Sequence, residues 1–206
     1  MVTLARSDKR LLLLSGAVAG GKTSIANALL STHGFRKINT SAHLSALASA
    51  QALPIERTAL QNLGDMLDVQ TDYRWPVTVA LEQIHEAQSN ALYWLLDAVR
   101  KPQQAAQFRT AFVHVLHVHV IASEEILRRR FAQRQTVDQG LDASINYEAV
   151  VCHPNEVASR ALGSIADVIY DSGNKSAEII AEDIFKIIQG LHHGPSSVDQ
   201  RAPRRW

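Results

Sequence analysis

A chain of 206 residues, 46% apolar and 20% charged, is long enough for one substantial core and reads as one globular domain. Its 21 basic and 20 acidic residues leave a formal net charge of +1, which argues against nucleic acid as a partner and makes no case for a membrane surface. The single cysteine, Cys152, excludes an internal disulfide, and no run approaches the ~20 apolar residues of a membrane span, so a reducing, cytoplasmic setting is expected.

RLLLLSG, residues 10–16, is a continuous apolar run that ends in glycine, as a strand buried on both faces would. Four leucines are too few for the core of a signal peptide. KTSIANALLSTH (22–33) has helical spacing, with Ile25, Ala28 and Leu29 on one face, and Gly34 stops it. GFRKINTS supplies a short second strand, and SAHLSALASAQAL is helical up to Pro54. Two further helical blocks run from about Ile55 to Leu67 and from Val77 to Gln88. ALYWLLDAVR (91–100) reads as a strand ending in an acid, and FVHVLHVHVIAS (112–123) is the clearest strand in the chain. SEEILRRRFAQR is a charged helix, DVIYDSG (167–173) a fifth strand, and SAEIIAEDIFKIIQG a closing amphipathic helix. Strands alternating with helices predict an α/β fold, a five-stranded parallel sheet flanked by helices. Residues 135–163, with Asp138, Gly140 and Asp142, are the least periodic internal stretch and a candidate mobile lid; HHGPSSVDQRAPRRW reads as a flexible basic tail over 192–206.

Between the first strand and the first helix lies GAVAGGKT, residues 16–23, which fits G-x-x-x-x-G-K-[ST], the Walker A phosphate loop, without a gap. Glycines there let backbone N–H groups converge on an anion, and the helix N-terminus adds its positive dipole end. Gly16, Ala17, Ala19, Gly20, Gly21, Lys22, Thr23 and Ser24 are the expected donor-binding residues, with Lys22 on the terminal phosphates and the Thr23 hydroxyl on Mg²⁺. YWLLDAVR looks like a Walker B strand that brings Asp97 to the same metal; the plainer reading is that Asp97 caps the helix after it. Arg100 could project over the same sheet edge, its planar fork suited to a second phosphate. In LRRRFAQR, Arg130 and Arg134 are four apart and share a helix face, whereas Arg128 and Arg129 point elsewhere. That pair suits a transferring phosphoryl group, against the plain alternative of a solvated basic face.

With these elements in order, the chain resembles the P-loop nucleoside and nucleotide kinases, closest to the deoxynucleoside monophosphate kinase-like branch. The likeness rests on GAVAGGKT, RTALQNLGDMLD (57–68), DAVRKPQQAAQFR (97–109) and HVHVIASEEILRRRFAQR (117–134). It implies a P-loop kinase domain over 1–191, with an NMP-binding region at about 39–90 and a lid at about 124–163. Lys22 and Thr23 then match the phosphate-loop pair, Asp97 and Arg100 the acid and arginine after the third strand, and Arg130 and Arg134 the lid arginines. Thr40, Ser41 and Arg57 fall where the acceptor is met, and Gly173 and Asn174 where backbone meets the donor adenine. Two departures stand out. Ala19 takes the place of the middle glycine of G-x-x-G-x-G-K, and Gln135, Thr136 and Val137 replace the usual aspartates of the lid.

Within the acceptor segment, Trp75 could stack on a base or pack at a helix entrance, and Arg74 could hold an anionic acceptor. His114, His117 and His119 read as locally hydrogen-bonded strand histidines rather than a metal site. The expected activity is transfer of the γ-phosphoryl of MgATP, with ATP and Mg²⁺ as cofactors, to a (deoxy)nucleoside monophosphate. The partner is a small nucleotide, with no membrane, and a homodimer is allowed. Two alternatives stay open: a P-loop kinase for a hydroxyl acceptor, where Asp97 would take the proton, and a non-kinase ATP-binding switch or motor module. The lack of room for the helical domain and sensor residues of an AAA ATPase counts against the last.

Overall fold

The computed structural model describes residues 7–137, 146–191 and 204–205. In chain order they form β1 (Ser7–Gly16), α1 (Lys22–Thr32), β2 (Arg36–Lys37), α2 (Thr40–Ala50), α3 (Arg57–Gln70), α4 (Trp75–Glu86) and β3 (Tyr93–Leu96). Then come α5 (Pro102–Ala111), β4 (Phe112–Ile121), α6 (Glu124–Val137), α7 (Tyr147–Val151), α8 (Pro154–Ala161), a 3-10 turn (Leu162–Ile165), β5 (Val168–Asp171), α9 (Ala177–Gln189) and β6 (Arg204–Arg205). All five expected strands are present and parallel, in the order β2-β3-β1-β4-β5. A sixth follows: Arg204–Arg205, read from sequence as part of the tail, pairs parallel with β5. The remaining tail residues lie outside the described residues, as do 138–145 of the expected lid, Asp138, Gly140 and Asp142 among them.

The four leucines of β1 explain the sheet's central position. Leu11, Leu12, Leu13 and Leu14 are all fully buried, and alternation sends them to opposite faces. Leu12 and Leu14 pack with Ile25 and Leu29 of α1 and with Ile180, Ile184 and Ile188 of α9. Leu11 and Leu13 pack with Val77 and Ala80 of α4 and with Phe108 of α5. Each buried leucine contributes roughly 1.5–3 kcal/mol, so both faces are firmly covered. The amphipathic α9 is held at its start by Ser176, whose side chain accepts from Ile179 N. No helix among the described residues is long and apolar enough to cross a membrane.

Because β3 and β4 flank β1 on opposite sides, the chain changes direction at the carboxyl end of β1. A crevice opens at such a switch point, and here the phosphate loop sits at that end.

Candidate active site

The loop backbone is set by three unusual residues. Gly16 has φ 132°, and a Cβ there would lie 2.2 Å from the Val120 carbonyl oxygen of β4, so only glycine lets the two strands stay in register. Gly21, with φ 90°, precedes α1 and occupies its N-cap without any side-chain cap. The first turn of α1 also carries no acid, which leaves its N–H groups and dipole for an anion. Ala19, at the position where the resemblance expects glycine, nevertheless adopts the left-handed φ of 58° that glycine favours.

Lys22 lies against this loop and donates to the carbonyls of Gly16 and Ala17, both at 2.7 Å. Burial pushes its ammonium down to about 8; Glu156 and Asp97 oppose that shift, and Arg100 and Arg134 add to it. Of the charged groups expected at the site from sequence, Asp97, Arg100 and Arg134 thus act on Lys22.

A cavity of about 750 Å³ runs along the loop from Val18 to Ser24, closed on its far side by Arg130, Arg134 and Ser172. Arg130 donates to the hydroxyl and to the backbone carbonyl of Ser172, at 2.9 and 2.8 Å. Ser172 in turn donates to Gly20 O at 2.9 Å, so α6, the loop after β5 and the phosphate loop are tied together. Gly173 and Asn174 are not among the lining residues. Their N–H and side-chain amide both go to the Asp171 carboxylate, and Lys175 and Ser176 line the cavity instead.

A second cavity of about 650 Å³ adjoins it, with Thr40, Ser41, Trp75 and Arg100 among its lining. Val18 and Arg134 line both cavities. Trp75 is buried, and its indole N–H donates to Asp68 at 2.8 Å, so packing and a cavity wall are combined in one residue. Arg74 is exposed at the start of α4 and lines neither cavity. The side chain of Arg57 lies outside the described residues. Asp97 sits at the end of β3, where one carboxylate oxygen accepts from Lys37 at 2.7 Å. It acts on Lys22 through its charge rather than by contact.

Several groups at the site carry no role from the sequence alone, among them the segment HPNE (153–156). Glu156 of α8 accepts from Val18 N–H at 2.8 Å and from Arg160 at 3.0 Å, and Ser159 donates to Gly16 O at 3.1 Å. HPNE (153–156) therefore anchors the phosphate loop from a distance of 138 residues along the chain. Arg160 continues the contact to Glu124 and Tyr147, linking α8 to α6 and α7. Asp65, Asp68, Lys101, Gln104 and Asn155 all line the second cavity.

The strand histidines are local, as expected. His117 and His119 share Ser15 Oγ, at 2.7 and 2.8 Å. Burial pushes both rings down to about 4, so they are neutral at pH 7. Among the described residues no three His, Cys, Asp or Glu side chains cluster as a metal-binding group.

The AAA domain family matches residues 12–180, from β1 into α9. The chain belongs to that family. Family and fold together put it in the P-loop superfamily with the architecture of the P-loop kinases. The family label also covers the ATP-binding module ranked last from sequence; it carries the donor-binding fold and no particular reaction. No curated protein sequence is similar to the chain.

Solved structures resemble it across nearly its whole length. The Deinococcus radiodurans tunicamycin resistance protein has a TM-score of 0.58 at 16% identity, covering 91% of this chain and 99% of its own. TT1252 from Thermus thermophilus has a TM-score of 0.56 at 15% identity, covering 91% and 100%. A candidate kinase from Chloroflexus aurantiacus has a TM-score of 0.50 at 15% identity, covering 90% and 100%. These likenesses establish the fold.

Proposed function

We propose that the chain is an ATP-dependent phosphotransferase that moves the γ-phosphoryl of MgATP to a (deoxy)nucleoside monophosphate, as the kinase-like branch it resembles does. The observation that carries this is the pair of adjoining cavities with Val18 and Arg134 in the walls of both. A phosphoryl group passing from one to the other would cross in front of those residues.

The donor triphosphate takes the cavity along residues 18–24. Lys22 exchanges its two carbonyl partners for phosphate oxygens, and Arg130 and Arg134 face the charge that spreads over the phosphoryl group in the transition state. The acceptor enters the second cavity with its phosphate toward Arg100 and Arg134. No strong base is required, because that phosphate is already anionic.

The residues fit Mg²⁺ held mainly by the nucleotide. Thr23 is exposed at the donor cavity and Asp97 keeps one oxygen off Lys37, a donor set that suits an ion taking one or two protein ligands plus phosphates. Thr23 and Asp97 would hold it there, and when bound it supplies charge neutralisation to the phosphates. A soluble, cytoplasmic setting and a small-molecule acceptor go with this reading.

A hydroxyl acceptor is the second reading, and the part-exposed carboxylate of Asp65 in the acceptor cavity favours it. One experiment separates the two: ADP release from MgATP is measured alone and with nucleoside monophosphates, nucleosides and simple sugars. Stimulation by a monophosphate supports the first reading. Stimulation by nucleosides or sugars only replaces it with the second, and no stimulation by any of them defeats both.

A further inference from the structure

The wall of the acceptor cavity formed by α3, α5 and α8 is a row of paired polar groups. Asp68 is 2% exposed and accepts from Trp75 Nε1 at 2.8 Å and Gln104 Nε2 at 3.0 Å. Lys101 Nζ bridges the two acids, 2.8 Å from Asp68 and 2.6 Å from Asp65. Asn155 Nδ2 approaches the other Asp65 oxygen at 3.4 Å.

Two carboxylates against one ammonium leave this wall net negative. A pocket that held only a phosphate would be cationic throughout, so another part of the acceptor meets this side. The acids divide the work. Asp68, saturated by three donors, ties α3 to α4 and α5 and suffices as the structural anchor. Asp65 adds little to that anchor, yet its side chain is 45% exposed and lines the cavity. An ionised carboxylate accepts hydrogen bonds and donates none. Of the groups a ligand can present to its exposed side, one carrying N–H or O–H pairs with it, whereas carbonyl or phosphate oxygens are repelled.

We infer that Asp65 is a specificity-determining residue for the acceptor, accepting a hydrogen bond from an amino or hydroxyl group of that molecule. Lys101 and Asn155 fix its position. Asn155 also precedes Glu156, which holds Val18 N–H, so Asp65 is referenced to the phosphate loop itself. The inference rests on the phosphotransferase reading for its substrate, and the experiment below separates the two.

The test compares CMP, dCMP, UMP and dTMP as acceptors for wild type and Asp65→Asn, with kcat and KM determined for each. Wild type should prefer CMP over UMP, if the group read is an amine, or CMP over dCMP, if it is a sugar hydroxyl. The preference should be about tenfold or more in kcat/KM, below the ~10⁴ of a fully enclosed polar site because Asp65 is half-exposed. Asp65→Asn should cut that ratio to about threefold or less, mainly by raising the KM of the preferred acceptor. Damage to the fold would lower all four acceptors alike and leave the ratio standing, so an unchanged ratio overturns the assignment. So does a wild type with no preference in either comparison. If no monophosphate raises ADP release, calorimetric titration with CMP and UMP decides separately: CMP binding that Asp65→Asn weakens keeps the Asp65 role while the monophosphate-kinase reading falls, and unaffected or absent binding removes both.

Discussion

Replacing Lys22 with methionine should stabilise the protein while removing its chemistry. The side chain is part-buried against the loop, and burial pushes its ammonium from the ordinary 10.5 to about 8. At 1.36 kcal/mol per decade, holding the charged form in the nucleotide-free fold costs about 3 kcal/mol. Methionine keeps the length and removes the charge. Its two carbonyl partners are not orphaned: Gly16 O still accepts from Ser159 Oγ, and Ala17 O from Gly20 N. Losing the two hydrogen bonds costs about 2 kcal/mol at ~1 kcal/mol each, leaving a net gain of about 1 kcal/mol, or ~2–4 °C in Tm for a domain of this size. The pH dependence is specific. Between about 8 and 10.5 the unfolded chain holds a proton on Lys22 that the folded chain has released, so wild-type stability from this group rises with pH across that window. The gap between variant and wild type should be full at pH 7 and shrink toward pH 10. Thermal unfolding followed by circular dichroism without nucleotide reads both quantities. A Lys22→Met protein less stable than wild type at pH 7, or a gap that ignores pH, would refute the reasoning. Transfer to any acceptor should fall by at least ~10²-fold in the same variant, as for loss of a transition-state charge contact.

Other substitutions probe the loop and its arginines. Gly16→Ala places a Cβ 2.2 Å from the Val120 carbonyl, so a loss of at least ~3 kcal/mol is expected; soluble protein with an unchanged melting curve would contradict it. Ala19→Gly removes a left-handed penalty of ~1–2 kcal/mol and adds ~0.4–1 kcal/mol of unfolded-state entropy, so Tm should hold or rise slightly. A marked fall in urea midpoint would show that the Ala19 methyl group matters more than its φ. Arg134→Ala should raise the KM for ATP and for the acceptor together, since Arg134 borders both cavities, whereas Arg100→Ala should raise the acceptor KM alone. Equal effects of the two changes in steady-state kinetics would count against the division of the site.

The donor side was legible because its requirements are local. A buried strand must be apolar on both faces, and a phosphate loop needs glycine where the backbone is most crowded or turned, as at Gly16 and Gly21, so β1, the loop and α1 follow from the continuous run 7–32. The acceptor side depends on contacts between distant segments. Nothing in PQQAAQFRTA advertises α5, whose buried anchors are Gln104, Ala105 and Phe108. Asp65 and Asp68 are three apart on α3, a spacing that puts both on one face, but Lys101, which gives them meaning, lies 36 residues away from Asp65. Asp97 was read as a cap or a metal ligand, and its partner Lys37 became evident only once β2 and β3 were paired. The same holds for Glu156, whose partner is a backbone N–H that no side-chain pattern can reveal. Gly173 N–H and the Asn174 amide go to the Asp171 carboxylate, a local contact that the sequence pattern does not show.

The two halves of the site are attached to the sheet very differently. The donor half grows from β1 and β4, ten-residue strands in the middle of the sheet, and shares their core. Most of the acceptor half hangs between β2, only two residues long, and β3, only four. Substitutions or insertions in α2 and α3, which add nothing to the two cores around β1, therefore disturb little of what holds ATP, whereas α4 covers Leu11 and Leu13 with Val77 and Ala80. A lineage built on this scaffold can change what it phosphorylates by exchanging one segment, and keep its fuel.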